Sequence, residues 1–211
     1  KNKIIKNKNK EIISKIKIKI KKLSKKKQDY NQNRLIIEKI SGKKKFIKVK
    51  GLSVDTRTLK KDNLFLALKG KNRDGNRFID KALKKGAGCI VATTKPKILN
   101  KKIIKTKNSI KFLNKFARLK RECSSAKIIA ITGSSGKTSL KNIIRVLLQK
   151  FGSTYFSPKS FNNHFGVPIS LSNLSIENKF GVFEVGMSKS GEIKKLTKLI
   201  KPQIEIITNI G

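Results

Sequence analysis

The sequence predicts an α/β chain in two parts: a small N-terminal α/β domain, then a parallel-sheet domain that breaks off before it is complete. Three observations predict it. Apolar runs of strand length recur between stretches of helix length. In the second half they alternate with helices, an order that right-handed crossovers turn into a parallel sheet covered on both faces. The 211 residues are 37% hydrophobic, enough for one large core or two small ones. The chain opens on Lys1, its single methionine is Met187, and it stops at Gly211 just after a strand-like run, so a fragment is expected.

Charge is the most conspicuous property of the composition. There are 53 basic and 12 acidic residues, a formal net charge of +41. A charge of that size points to nucleic acid or an anionic surface. Lysine, however, rises here together with isoleucine and asparagine, all three encoded by A/T-rich codons. Aromatics are 6% and tryptophan is absent, so base-stacking platforms are poorly supplied. Codon bias is therefore the expected source of the charge, and no specific nucleic-acid partner is expected. Cys89 and Cys123 are far apart and form no CxxC pair, so no disulfide framework or zinc site is expected. Cys89 sits in the apolar run Gly88-Cys89-Ile90-Val91 and reads as a small core residue. No run is apolar enough to span a bilayer and no signal-peptide pattern is present, so a reducing, cytoplasmic setting is expected.

Residues 1–32 form a basic, low-complexity extension. Ile16 to Lys21 alternates at the strand period, while Ile12, Ile16, Ile20 and Leu23 also fit one helix face. A solvated or disordered extension is expected from that composition. Residues 33–124 read as the small α/β domain. Leu35 to Ile40 suggests a short helix stopped by Ser41-Gly42, and Phe46 to Val54 a strand. Asn63 to Leu68 is a second strand, Arg77 to Lys85 a helix ending at Gly86, and Cys89 to Ala92 a buried strand. Residues 125–211 are more regular. Strands are expected at Lys127–Thr132, Ser153–Phe156, Lys179–Val185 and Gln203–Thr208, helices at Thr138–Lys150 and Gly191–Lys201, and a loop from Pro158 to Pro168.

The most informative stretch runs from Ile128 to Ser139. A buried strand enters a glycine-containing turn and then a helix that opens with Lys-Thr. Gly133 and Gly136 allow a tight turn in which successive N–H groups can face phosphate oxygens. The helix start adds the positive end of its dipole. Lys137 can reach the β- and γ-phosphates, and the Thr138 hydroxyl can hold Mg²⁺. The loop is the shorter GxxGKT form, since Ile131 stands where the longer pattern wants glycine. The second unit thus reads as a truncated P-loop, parallel-sheet ATPase domain with ATP and Mg²⁺ as expected ligands.

Thr132-Gly133-Ser134-Ser135-Gly136-Lys137-Thr138-Ser139 resembles the ATP loop of the Mur ligases, the enzymes that build the peptidoglycan stem peptide. Four further segments agree in order. Ser53-Val54-Asp55-Thr56-Arg57 with Asn63 to Gly70 resembles the family's DTR…LFxALKG segment. Asp74-Gly75-Asn76-Arg77-Phe78-Ile79 resembles DGHxFI, with Asn76 where histidine is usual. Phe161 to Pro168, and Glu184-Val185-Gly186 with Gly191-Glu192-Ile193, are similar to the NNxxGVP and E-x-G…GEI segments of the branch that adds the terminal dipeptide. The branch that adds the third residue would show TTP and E-V-S-S-H there. The resemblance covers residues 34–211.

The resemblance implies an ATP-dependent ligase that phosphorylates the terminal carboxylate of UDP-N-acetylmuramoyl-tripeptide and couples it to D-alanyl-D-alanine, acting as a monomer. It implies that Gly133, Ser134, Ser135, Gly136, Lys137, Thr138 and Ser139 bind ATP, with Lys137 and Glu184 catalytic and Thr138 and Glu184 on Mg²⁺. Glu184 would close an apolar strand at the crevice edge where ligands of such sheets bind. Thr56, Arg57, Asp74 and Gly75 would bind the UDP moiety, Arg57 in bidentate fashion. Asn162 and Asn163 would line the site near the substrate. His164, the single histidine, falls at an open position of the pattern and reads as a loop residue. The whole enzyme's remaining catalytic groups lie beyond this chain, so the fragment alone is expected to be inactive.

Overall fold

A computed structural model describes residues 13–14, 16–17, 25–42, 47–70, 74–94, 100–158 and 161–210; the alternating segment at 16–21 falls mostly outside them. Both expected halves are α/β and both sheets are parallel. The first compact unit spans Lys1–Leu119 and the second Lys120–Gly211.

In the first unit, α1 (Lys25–Ser41) precedes β1 (Leu52–Ser53) and β2 (Leu64–Leu66). A 3-10 turn (Gly75–Phe78) leads into α2 (Ile79–Lys84), followed by β3 (Cys89–Ala92), β4 (Ile103–Lys105) and α3 (Ser109–Cys123). The sheet order is β1-β2-β3-β4, with Leu64 opposite Cys89 and Ile90 opposite Ile103. Its core joins Leu59, Phe65, Ile79 and Ile90 with four alanines, and small residues let α2 lie close to the strands. Cys89 is fully buried, as its apolar neighbours require.

Three expectations in this unit are corrected. Residues 25–32 are not a solvated tail, because α1 begins at Lys25 and Gln32, Asn33, Ile36 and Ile37 are buried along it. Four buried positions at 3.6-residue spacing hold the helix in place. The strand expected from Phe46 to Val54 shrinks to Leu52–Ser53. Asn33 Nδ2 donates to the carbonyls of Val49 (2.9 Å) and Lys50 (3.1 Å), while the Lys50 N–H donates to the Asp62 carbonyl at 2.8 Å. β4 and α3 add two elements between Ala92 and Lys127 that the sequence reading leaves blank. Gly88 is fixed by close approach, since a Cβ there would sit 1.9 Å from the Lys48 carbonyl oxygen.

The second unit runs β5 (Lys127–Thr132), α4 (Lys137–Gln149), β6 (Thr154–Phe156), α5 (Gly166–Ser172), β7 (Phe180–Glu184), α6 (Glu192–Ile200) and β8 (Ile204–Ile207). Its sheet order is β6-β7-β5-β8. Leu140, Ile144 and Leu148 of α4, spaced for one helix face, pack with Ile129, Ile131 and Val182 of the two central strands. Arg121 bonds the carbonyl oxygens of Ile200 (2.5 Å) and Lys201 (2.8 Å) beyond α6. The expected loop to Pro168 ends early: α5 begins at Gly166, and Pro168 is tolerated in its first turn because no helical N–H bond is needed there.

Candidate active site

β5 is buried from Ile128 to Ile131 and delivers the chain into the glycine turn at the carboxyl edge of the sheet. Gly133 has φ +137°, and a Cβ on it would lie 2.0 Å from Thr208 Oγ1 and 3.0 Å from the Asn209 carbonyl oxygen. Gly136, at φ +77°, caps α4 without any side-chain bond to the helix start. The first-turn amides of Lys137, Thr138 and Ser139 therefore have no intrahelical acceptor, and the dipole adds to their pull on an anion. Lys137 folds its ammonium back onto the carbonyl oxygens of Gly133 and Ser134, the second at 3.1 Å.

The loop is braced from the exit of β8. The backbone N–H of Ser134 donates to the Asn209 carbonyl at 3.1 Å, and that of Ser135 to Asn209 Oδ1 at 3.0 Å. Ser134 Oγ donates to Asn209 Oδ1 at 2.8 Å, and Thr208 Oγ1 to the Ser135 carbonyl at 2.5 Å. Ser134 and Ser135 are thus tied to Asn209 through amide and hydroxyl alike, on the exposed side of the loop. The sequence reading missed Thr208 and Asn209, whose signal was their place at the end of a parallel strand beside the loop.

Glu184 ends β7, and the register sets it opposite Ile131, just before the loop. It is buried rather than exposed, with its carboxylate 2.6 Å from the Lys141 ammonium and both side chains 3% exposed. Lys141 Nζ also donates to the Ser157 carbonyl at 2.8 Å. Ser157 Oγ in turn accepts the Glu184 N–H at 3.1 Å. Neither Lys141 nor Ser157 was legible as part of the site.

The asparagine pair reaches the same edge through its backbone. The Asn162 carbonyl accepts the Gly186 N–H at 2.6 Å, two residues past Glu184. Asn163 Oδ1 accepts the N–H groups of Phe165 (3.0 Å) and Gly166 (2.9 Å), an Asx turn that starts α5. His164 is exposed, its ring 4.1 Å from that of Phe165.

In the first unit, Thr56 is buried and Arg57 is exposed. Arg57 is held bidentate by Asp55, donating from Nη2 to Oδ2 at 2.6 Å and from Nε to Oδ1 at 3.1 Å. The hydrogen bond and charge of Asp55 raise the guanidinium's affinity for its proton. Asp74 caps the 3-10 turn by accepting the Asn76 N–H at 2.9 Å. That backbone bond, with one from the Asn76 side chain, holds the Asp74 carboxyl below its ordinary range. Asn76 also ties across to Thr93, donating to its hydroxyl and accepting its N–H, each at 3.0 Å. Gly75 is packed so closely on Leu68 that a Cβ would lie 2.8 Å from its backbone.

The residues of the second unit suit a nucleotide's phosphates: a cradle that a Cβ at Gly133 would fill, an uncapped helix start and a lysine beside it. They also suit a divalent cation held partly by the ligand. Glu184 and Thr138 offer hard oxygens, and no cluster of three or more His, Cys, Asp or Glu exists among the described residues. Mg²⁺ is commonly held in that manner, by one or two carboxylates plus phosphates and water.

Comparison with known proteins agrees with this geometry. Residues 48–121 match the Mur ligase family catalytic domain, and residues 131–211 match the Mur ligase middle domain. The UDP-N-acetylmuramoyl-tripeptide–D-alanyl-D-alanine ligase of Rickettsia prowazekii is 43% identical over 158 residues, covering 74% of this chain and 35% of the relative. Its counterpart in Buchnera aphidicola subsp. Baizongia pistaciae is 37% identical over 78% of this chain and 36% of its own. The chain spans about a third of the length of the curated relatives it matches. Among solved structures, MurF ligase from Thermotoga maritima in complex with ADP matches with a TM-score of 0.65 at 32% identity, over 77% of this chain and 38% of that one. A D-alanyl-D-alanyl ligase from Acinetobacter baumannii matches at 0.73 and 26% identity, over 84% and 41%. On sequence, fold and loop geometry together, the chain belongs to the Mur ligase family.

Proposed function

We propose that the chain forms the UDP-substrate domain (33–124) and the first part of the ATP domain (125–211) of a ligase joining D-alanyl-D-alanine to UDP-N-acetylmuramoyl-tripeptide. The observation that carries the ATP reading is the Gly133–Ser139 loop, set between β5 and α4 with Glu184 on the adjoining strand. The substrates are those named for the relatives in Rickettsia and Buchnera.

In the first step the tripeptide's carboxylate oxygen bonds to the γ-phosphorus of ATP, and the bond to ADP breaks. In the second, the dipeptide's amine attacks the acyl phosphate carbonyl; a C–N bond forms, phosphate leaves and the amine loses its proton. Such transfer needs positioning and charge neutralisation more than covalent help. The amides of Lys137, Thr138 and Ser139 hold phosphate oxygens, beside the hydroxyls of Ser134 and Ser135. Lys137 leaves the carbonyls of Gly133 and Ser134 to meet the β- and γ-phosphates. Mg²⁺, held by Thr138 and Glu184, would neutralise charge on the transferring group. Gly133 and Gly136 keep the cradle open. Asn162 and Asn163 set the wall beside Glu184. Within the first unit, Thr56, Arg57, Asp74 and Gly75 bind the uridine diphosphate. By its resemblance to the family the enzyme works as a monomer in the cytoplasm. No helix among the described residues is long and apolar enough to cross a membrane.

The test is phosphate release by the full-length protein with ATP, Mg²⁺ and UDP-N-acetylmuramoyl-tripeptide. Release that requires D-alanyl-D-alanine and vanishes in Lys137→Ala supports the reading. Release with the shorter UDP-dipeptide and a single diamino acid instead would assign it to the third-residue branch.

A further inference from the structure

Lys141, buried against Glu184, stands out among the groups the proposed reaction leaves unused. The pair is buried on both sides, and it joins three elements: α4, which carries the phosphate loop's lysine, the exit of β6 at Ser157, and the end of β7. The ammonium lies against Oε1, which makes no aligned hydrogen bond, so the contact is one of charge. Burying such a pair gives little stability over apolar residues of equal volume. Its position explains it better, since a carboxylate kept dry at the mouth of a phosphate site needs a neutralising partner whenever no metal is bound.

We propose that Lys141 is the resident cation of Glu184, a positioning residue that neutralises the carboxylate and so prevents a divalent cation from binding until nucleotide phosphates arrive with it. This rests on the reading of Glu184 as the cation-holding carboxylate. The ammonium and the metal carry the same sign of charge within one low-dielectric neighbourhood, where their repulsion is poorly screened. Glu184 alone, already offset, attracts the bare cation weakly. The phosphates supply the missing negative charge, so cation and nucleotide enter together. Lys141 can stay in place as they do, anchored by the Ser157 carbonyl.

The test uses the full-length protein and MgCl₂, with binding read by calorimetry and thermal melting, first without nucleotide and then with a non-hydrolysable ATP analogue. In wild type, Mg²⁺ alone should neither bind measurably nor shift the melting temperature. Lys141→Met should melt lower without cation, recover on adding Mg²⁺ alone, and need at least about tenfold less Mg²⁺ with the analogue. Lys141→Arg, which keeps the charge, should behave as wild type. A Lys141→Met protein whose Mg²⁺ response equals wild type would overturn the proposal, leaving the pair a packing feature. Should Lys141→Met fold only in Mg²⁺, that rescue supports it; failure to fold even then, while the double variant Lys141→Met/Glu184→Gln folds, overturns it. Glu184→Gln alone separates the two readings: an unchanged Mg²⁺ requirement with the analogue would remove Glu184 from the cation site whatever Lys141 does.

Discussion

Gly133→Ala tests the phosphate loop at its tightest point. The new methyl would sit 2.0 Å from Thr208 Oγ1, about 1.4 Å short of the 3.4 Å at which ordinary contact begins, and 3.0 Å from a backbone oxygen that cannot rotate away. Thr208 would have to turn, giving up its bonds to the carbonyls of Ser135 and Thr132. Each such bond contributes about 1 kcal/mol net. The φ of +137° adds strain for an L-residue of roughly 1–3 kcal/mol. Together these disfavour the present loop by roughly 3–5 kcal/mol, an effect confined to the loop because β5 and α4 are held by their own core. Nucleotide affinity should fall at least about a hundredfold. The melting temperature of the ligand-free protein should drop far less than a core cavity would cause. Fluorescent-nucleotide titration beside a thermal melt reads both numbers. Affinity within about threefold of wild type would refute the cradle as drawn here.

Lys137→Ala should abolish phosphate release while leaving the fold intact, since its ammonium bonds only loop carbonyls; circular dichroism and the release assay separate the two effects. Gly88→Ala should destabilise the first unit by about 3 kcal/mol or more, because the added Cβ meets backbone at 1.9 Å; urea melts check it. Asp74→Asn should destabilise at neutral pH and not in acid. The folded carboxyl is held below its ordinary value of 3.8, so its contribution is present above that value and is lost as pH falls through the lower folded one. Urea melts of both proteins across that range should converge at the acid end.

How far the sequence could be read depended on whether each signal was local. Lys127–Thr132, Phe180–Glu184 and α4 lie within one residue of the expected spans because each is a continuous apolar run or a clean 3.6-residue pattern. α3 carried such a pattern too, in Phe112, Leu113, Phe116 and Ala117, but Lys111, Lys115 and Lys120 in and around it masked it. α5 was hidden by Pro168, which reads as a breaker unless its place in the first turn is known. The glycines and Lys137 of the candidate site were visible because the motif is contiguous. Lys141, Ser157, Thr208 and Asn209 were not, since each acquires its role from a partner on another element. Glu184 was placed correctly at a strand end, and only the fold reveals the lysine against it.

The bracing of the phosphate loop by Thr208 and Asn209 makes strand alignment a condition of nucleotide competence. Both follow directly from β8, whose pairing to β5 sets Ile207 opposite Thr132. A slip of β8 by one residue would turn Thr208 to the other face, withdraw Asn209 from the serine amides and lift Ile206 off the core. Molecules could then pass every test of secondary structure and remain unable to grip ATP. The register of β8 and the grip of the phosphate loop are thus a single property, set at Thr208 and Asn209.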